Sequence, residues 1–294
     1  MENKKSKFGI SFLANFLLIL ATISCLIPFV VVLSASISDE VELLIKGYGI
    51  LPRGFSLDAY KLVFANGETV IDAYILTIVT TAVGSVLSVF LIALAAFPLS
   101  RRDYVWKKFF SFYFYFTMIF SGGAISTYLW ISQTLHLRNN PLVLILPMLV
   151  SANSIFLMRT YMAKISPELI EAAKIDGAGE FMTFFRIIIP MSTVGLATIF
   201  VMTALGFWNQ WYASLMYLDD NYVTLQYYLI RVMNNIEAIT KSQNSMVTSI
   251  DISKLPSETT RMAMCVVSAG PMIFFFAFFQ KYFVSGIALG SVKG

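Results

Sequence analysis

Six apolar runs bounded by charge constrain this chain more than anything else in it. Each approaches or exceeds the roughly 20 residues that an α-helix needs to cross a hydrocarbon core about 30 Å thick. They lie at about 12–36, 71–99, 109–132, 141–163, 189–212 and 262–284. With 57% of residues hydrophobic and 13% charged, water is a poor solvent for the folded surface, and the bilayer is the expected one. The prediction is an all-α integral membrane protein with six transmembrane helices, residues 1–294 forming a single transmembrane domain. Lys4, Lys5 and Lys7 precede the first run as they would in a signal peptide. That run is too long and has no small-residue cleavage site, so it reads as a retained helix. Cys25 and Cys265 both sit inside apolar runs, which fits small hydrophobes and neither a disulfide framework nor a metal site.

Six spans put both termini on one side, and the distribution of Lys and Arg chooses the side. Under strict alternation, one face carries Lys46, Arg53, Lys61, Arg138, Arg231, Lys241, Lys254 and Arg261, eight of the 21 basic residues. The other thirteen fall with the termini and with the loops at 100–108 and 159–188. Only six of the 17 acids do: Glu2, Asp103, Glu168, Glu171, Asp176 and Glu180. Both termini are therefore expected in the cytoplasm. Three outer segments follow, at about 37–70, 133–140 and 213–261, the last polar and expected to be partly helical.

The most informative cytoplasmic stretch runs from Ser166 to Pro190. Ser166 can cap a helix, Pro167 suits its first position, and Glu168 and Glu171 complement its positive end. Gly177 and Gly179 permit a sharp turn, after which a second short helix leads to the fifth run, with Pro190 at its start. The expected product is a bent helical elbow. Ala172 and Ala173 lack bulk and let another protein approach the helix closely, while flanking charges set register.

Glu171-Ala172-Ala173, three residues, Gly177, nine residues, Ile187, one residue, Ile189-Pro190 resembles the EAA loop of membrane subunits of binding-protein-dependent ABC importers, with Ile189 where Leu is usual. Other stretches resemble the MalG-like carbohydrate-uptake branch: Trp208-Asn209, Thr224-Leu225-Gln226, and the ending from Gly286 to Gly294. Gly122-Gly123-Ala124-Ile125-Ser126-Thr127-Tyr128-Leu129 is similar to the subset handling complex oligosaccharides, departing from it at Ser126, where Pro is expected. The resemblance covers nearly the whole chain. It implies a type I ABC importer permease fold, with 166–186 as the coupling loop. It also implies a second homologous permease, two ATPase subunits that hydrolyse ATP with Mg, an extracytoplasmic sugar-binding protein, and residence in a bacterial plasma membrane. The ATPase contact would involve Glu171, Ala172, Ala173, Asp176 and Gly177, and a second contact would be made by the tail through Gly290, Lys293 and Gly294.

No Gly-x-x-x-x-Gly-Lys-Ser/Thr run occurs, so no phosphate-cradling loop is expected, and ATP must be hydrolysed elsewhere. Ser121-Gly122-Gly123, inside an apolar run, reads as a small-residue helix-packing element. His136, the only histidine, has no carboxylate near in sequence and reads as a surface residue. Trp130, Trp208, Trp211 and Tyr212 fall near span ends, where aromatic belts form. Asp72 stands at the mouth of the second span, and Gly84 and Ser88 within it suit helix packing. A membrane-embedded enzyme or a secondary transporter would show clustered intramembrane ionisable residues, and these runs have none. A permease of the same architecture carrying another solute remains the alternative. The sequence assigns no catalytic residue, no metal ligand, no cofactor and no cargo-binding residue to this chain.

Overall fold

The computed structural model describes the backbone of residues 2–65, 67–243 and 258–291, and the side chains of 13–65, 67–238 and 258–280. Among these the chain is almost wholly helical, with one isolated antiparallel bridge between Ser38 and Phe55. It packs as two compact units, one of residues up to Gly67 with Leu229–Gly270, the other of Glu68–Tyr228 with residues from Pro271 onward.

In the first unit, helix α1 (Glu2–Ser36) leaves nearly every described side chain before Leu33 exposed, consistent with lipid or a partner as its surroundings. Two short helices follow, α2 (Glu40–Lys46) and α3 (Asp58–Val63). Asp39 caps α2 by accepting from the Glu42 amide at 3.1 Å. Buried Glu40 acts at a distance in sequence. Its Oε1 accepts from the Glu258 amide at 3.0 Å, and its Oε2 from the Thr259 amide at 2.9 Å and the Thr259 hydroxyl at 2.6 Å. The Glu40 side chain thus satisfies two of the orphan amides that open the last helix, α14 (Glu258–Ser291), where the helix dipole favours negative charge.

The second unit contains the other expected spans. Helix α4 (Gly67–Ser100) is continuous and buries the small face Gly84, Ser85, Ser88, Ala93 and Ala96. Three spans expected as single helices are broken. Helix α5 (Lys107–Ile119) and the segment Gly123–Thr134, which opens with α6 (Gly123–Leu129), meet at 110°. Pro141–Met148, two tight turns, meets α7 (Ala152–Met162) at 50°. The segment Glu180–Met191 meets α11 (Thr193–Trp208) at 80°. Each break has a local cause. Gly123 takes φ +80°, a left-handed conformation. Pro147 lies in the second of the two tight turns, and Pro190 removes a helix donor just before Ser192. Within this chain Ser121-Gly122-Gly123 makes a bend, and every residue from 115 to 127 is exposed.

Gly84 does serve packing. A Cβ placed there would lie 2.7 Å from the Phe207 ring, so the absent side chain is what lets α11 seat on α4. Gly195 of α11 likewise faces Tyr161 of α7 at 2.8 Å. Trp208, expected at a membrane belt, is 4% exposed and lines a small cavity with Phe200, Ala204 and Pro271. Trp130, Trp211 and Tyr212 are exposed, as belt residues would be. The stretch from 213, expected as an outer segment, is partly helical among the described residues, through α12 (Tyr212–Tyr217) and α13 (Leu225–Gln243). Thr77 of α4 accepts the Leu225 amide at 2.9 Å.

Candidate functional site

Between α7 and α11 the chain makes the expected elbow. Helix α8 (Pro167–Ile175) begins at Ser166, whose extended backbone occupies the N-cap while its hydroxyl bonds Glu168 at 2.6 Å rather than a backbone amide. It ends in a Schellman cap. Gly177 holds φ +79°, its amide bonds the Lys174 carbonyl at 3.0 Å, and the Ala178 amide reaches back to the Ala173 carbonyl at 2.9 Å. This geometry gives the motif spacing a cause, because the glycine that stops the helix must stand four residues beyond the residue whose carbonyl is capped. Helix α9 (Glu180–Thr183) follows with Gly179 as its N-cap, and a π-turn over Phe184–Ile188 and α10 (Ile189–Met191) lead on to α11.

The two alanines have different surroundings. Ala172 is exposed, whereas Ala173 is 7% exposed and turned toward its own chain. Glu171, Asp176 and Gly177 share the exposed side with Ala172. Around them, Ile175 is 86% and Phe181 77% exposed, although neither lies in one of the six apolar runs. Apolar side chains displayed in this way suit contact with another protein or with the membrane surface.

Behind this surface stands an ion network that the sequence reading did not assemble. Arg101, just past the end of α4, is buried. Its Nε and Nη2 donate to the two carboxylate oxygens of Asp103 at 2.8 and 2.5 Å, and its Nη1 bonds Glu180. Lys174 reaches the same Asp103 at 3.0 Å. The guanidinium also lies 5.7 Å from the Phe97 ring centroid, and Phe97 packs on Phe184 at 5.4 Å. The Asp103 carboxyl is held well below the usual carboxylate range, chiefly by its bonds to Arg101 and then to Lys174. A paired, largely desolvated guanidinium of this kind fixes geometry more than it adds stability. Here it ties the end of α4 to both helices of the elbow. The signal was present in Arg101-Arg102-Asp103, which the sequence reading used only as a marker of orientation.

Two recesses flank the tie. One, of about 480 Å³, is lined by Leu94, Phe97, Pro98 and Tyr104 with Phe181 and Phe184. The other, of about 410 Å³, lies between Ser100–Asp103, the end of α7 and the start of α8. Among the described residues no group of His, Cys, Asp or Glu is placed to hold a metal ion. His136 is exposed, with φ 52°. Of the tail residues, Lys293 and Gly294 lie outside the described residues, and Gly290 is described in its backbone alone.

Comparison with known proteins agrees with this architecture along the whole chain. The polygalacturonan/rhamnogalacturonan transport system permease protein YtcP of Bacillus subtilis (strain 168) is 35% identical over 282 residues, covering 95% of this chain and 96% of its own. Protein LplC of the same organism is 30% identical over 269 residues, covering 92% and 90%. Its arabinooligosaccharides transport system permease protein AraQ is 26% identical over 277 residues, covering 92% and 91%. Among solved structures, a chain from the crystal structure of a bacterial ABC transporter involved in the import of the acidic polysaccharide alginate superposes with a TM-score of 0.76 at 28% identity, covering 95% of this chain and 98% of that one. The family model described as binding-protein-dependent transport system inner membrane component matches residues 3–289. With six apolar spans, an elbow capped as the motif requires and relatives aligned end to end, the chain belongs to that family of inner membrane transport components.

Proposed function

We propose that this chain is one transmembrane permease domain of an ATP-driven importer of sugars, specifically oligosaccharides, and forms half of the translocation path. The support for sugar cargo is the set of relatives named for polygalacturonan, arabinooligosaccharide and alginate transport, together with the carbohydrate-branch stretches of the sequence. In this reading a second, homologous permease completes the path, an extracytoplasmic binding protein delivers the sugar, and two separate ATPase subunits bind and hydrolyse ATP with Mg. The chain itself binds no nucleotide and catalyses no reaction.

The observation that carries the coupling role is the exposed elbow. Glu171, Ala172, Asp176 and Gly177, edged by Ile175 and Phe181, form a surface on which an ATPase subunit would seat. Ala173 contributes from beneath, through its small size and its capped carbonyl. The tail at Gly290, Lys293 and Gly294 supplies a second contact, its glycines making it narrow enough to enter a crevice. Both termini and the elbow face the cytoplasm of a bacterial plasma membrane in this reading, which the excess of basic residues on that side supports.

The test is site-directed crosslinking in the assembled importer. A cysteine at Ala172 should couple to an ATPase subunit. In intact cells an impermeant thiol reagent should label Lys61→Cys and leave Ser166→Cys untouched. Crosslinks from Ala172 that never reach an ATPase would remove the coupling role, and the opposite labelling pattern would invert the orientation.

A further inference from the structure

The break between α5 and α6 has a consequence that rests on the reading of this chain as a transport subunit. Helix α5 starts at Lys107, beside exposed Trp106 and Lys108, a combination suited to the membrane interface. It runs 13 residues, about 20 Å at 1.5 Å per residue. The bend at Phe120–Gly122 therefore falls inside a hydrocarbon layer of about 30 Å. There the backbone leaves the helix. The Phe120 amide still reaches the Phe116 carbonyl at 3.0 Å, but the Ser121 and Gly122 amides donate to no acceptor among the described residues. The Gly123 amide is met only by the Ser121 hydroxyl, at 3.3 Å.

The bend is held on both sides and bare in the middle. On one side Phe114 of α5 packs against the core that includes Ile92 and Ile155. On the other, Tyr128 of α6 stacks on Tyr217 at 5.5 Å, and Ile131 is buried with Val143 and Leu144. Between these anchors every residue from 115 to 127 is exposed. Unpaired peptide groups facing lipid tails would cost several kcal/mol each, so irregular backbone at membrane depth persists only inside protein or along water. Discontinuous spans in transporters meet this requirement at the cargo path.

We infer that the Phe120–Gly123 bend lines the aqueous translocation path, where the free Ser121 and Gly122 amides and the Ser121 hydroxyl offer hydrogen bonds to the hydroxyl groups of a passing saccharide. The residues suit the task. Two glycines let cargo approach the main chain, and Phe120 and Phe116, stacked at 4.4 Å, present an apolar ring face of the kind that packs on the C–H face of a pyranose.

The experiment uses the full chain with its transport partners, carrying Cys25→Ala and Cys265→Ala, reconstituted in lipid vesicles. Ser121→Cys is challenged with a charged, membrane-impermeant methanethiosulfonate, and Gly122→Cys, at φ −69°, serves as a second position should the first not assemble. Both should be modified, modification should abolish uptake, and trapping the ATPases with vanadate should change the labelling rate. Leu18→Cys in the middle of α1 should stay unlabelled. Failure to label either bend position in both states, with a disulfide from Ser121→Cys to the second permease instead, would show a dry protein interface and overturn the inference. Oligosaccharides should slow the labelling. Labelling that no sugar slows would leave the aqueous path standing and count against the sugar cargo proposed above.

Discussion

Replacing Gly177 with Val isolates the conformational role of the elbow from its packing. A Cβ at this position would meet nothing within 4 Å, so no neighbour resists the new side chain. The whole cost lies in φ +79°. For an L-residue the left-handed conformation costs about 1–2 kcal/mol, and more for a β-branched one. That range lowers the population of the observed elbow about 5- to 30-fold relative to alternatives in which the Schellman cap opens. Gly179, two residues on, is the internal control: it also meets nothing within 4 Å, but its φ is −72° and it caps α9. Gly179→Ser should be neutral or slightly stabilising, since serine is a better N-cap. The assay is uptake and sugar-stimulated ATP hydrolysis per assembled complex, with membrane abundance measured alongside. The expected series runs from wild type through Gly177→Asn, which tolerates the left-handed region, to Gly177→Ala and then Gly177→Val, with abundance little changed because the spans are untouched. Full coupled transport by Gly177→Val, or equal damage from Gly179→Ser, would refute the reasoning.

Three further outcomes are expected. Gly84→Ala should destabilise the detergent-solubilised protein by about 1–3 kcal/mol through overpacking against Phe207, and Phe207→Leu should recover part of that loss in thermal melting. Because the Asp103 carboxyl is depressed by Arg101 and Lys174, its contribution is present above the ordinary carboxylate value of 3.8 and is lost only as pH falls below it. Melting of the wild type should thus show no dependence on this group near neutrality, Arg101→Gln should melt lower at pH 7, and the difference between the two should shrink only in strong acid. Glu40→Ala removes the acceptor for three donors at the start of α14 and should cost about 0.5–2 kcal/mol or somewhat more, in the manner of a lost helix cap. Hydrogen exchange should locate that loss at Glu258–Thr260.

Apolar run length and charge made the number and type of spans readable in the sequence, because both are local properties. Their continuity was not readable. Hydropathy averages over a bend, so the 110° turn at Gly123 and the 80° turn near Pro190 vanish inside runs that remain apolar throughout. The elbow was legible for the opposite reason: Ser166, Pro167 and Gly177 each specify a backbone conformation by themselves. What escaped was long-range. Arg101 and Glu180 stand 79 positions apart, and Glu40 and Thr259 stand 219 apart. Nothing in the neighbourhood of any of these residues names its partner. Trp208 was misplaced for a related reason, since proximity to a span end does not reveal which face of the helix a side chain occupies.

The same long-range contacts determine what a push on the elbow would move. Ile170 of α8 packs against a buried cluster that contains Ile92 and Phe97 of α4, Ile155 and Met158 of α7, Phe184 and Ile188 from the elbow, and Ile199 of α11. Close-packed interiors deform little, so a displacement of α8 passes to these three helices as a nearly rigid movement. The Arg101 network makes a second, polar connection from the end of α4 to α8 and α9, and its directional bonds resist the sliding that an apolar interface alone would permit. The α5–α6 bend is outside this cluster, with only Phe114 packed against its edge. A rigid lever of α4, α7 and α11 moving past a bend that is bare at membrane depth would alter the opening beside Ser121 and Gly122 without changing their backbone. In that arrangement the elbow and the bend have separable defects: Gly177→Val should uncouple ATP hydrolysis from transport, whereas a bulky side chain at Gly122 should block uptake while binding-protein-stimulated hydrolysis continues.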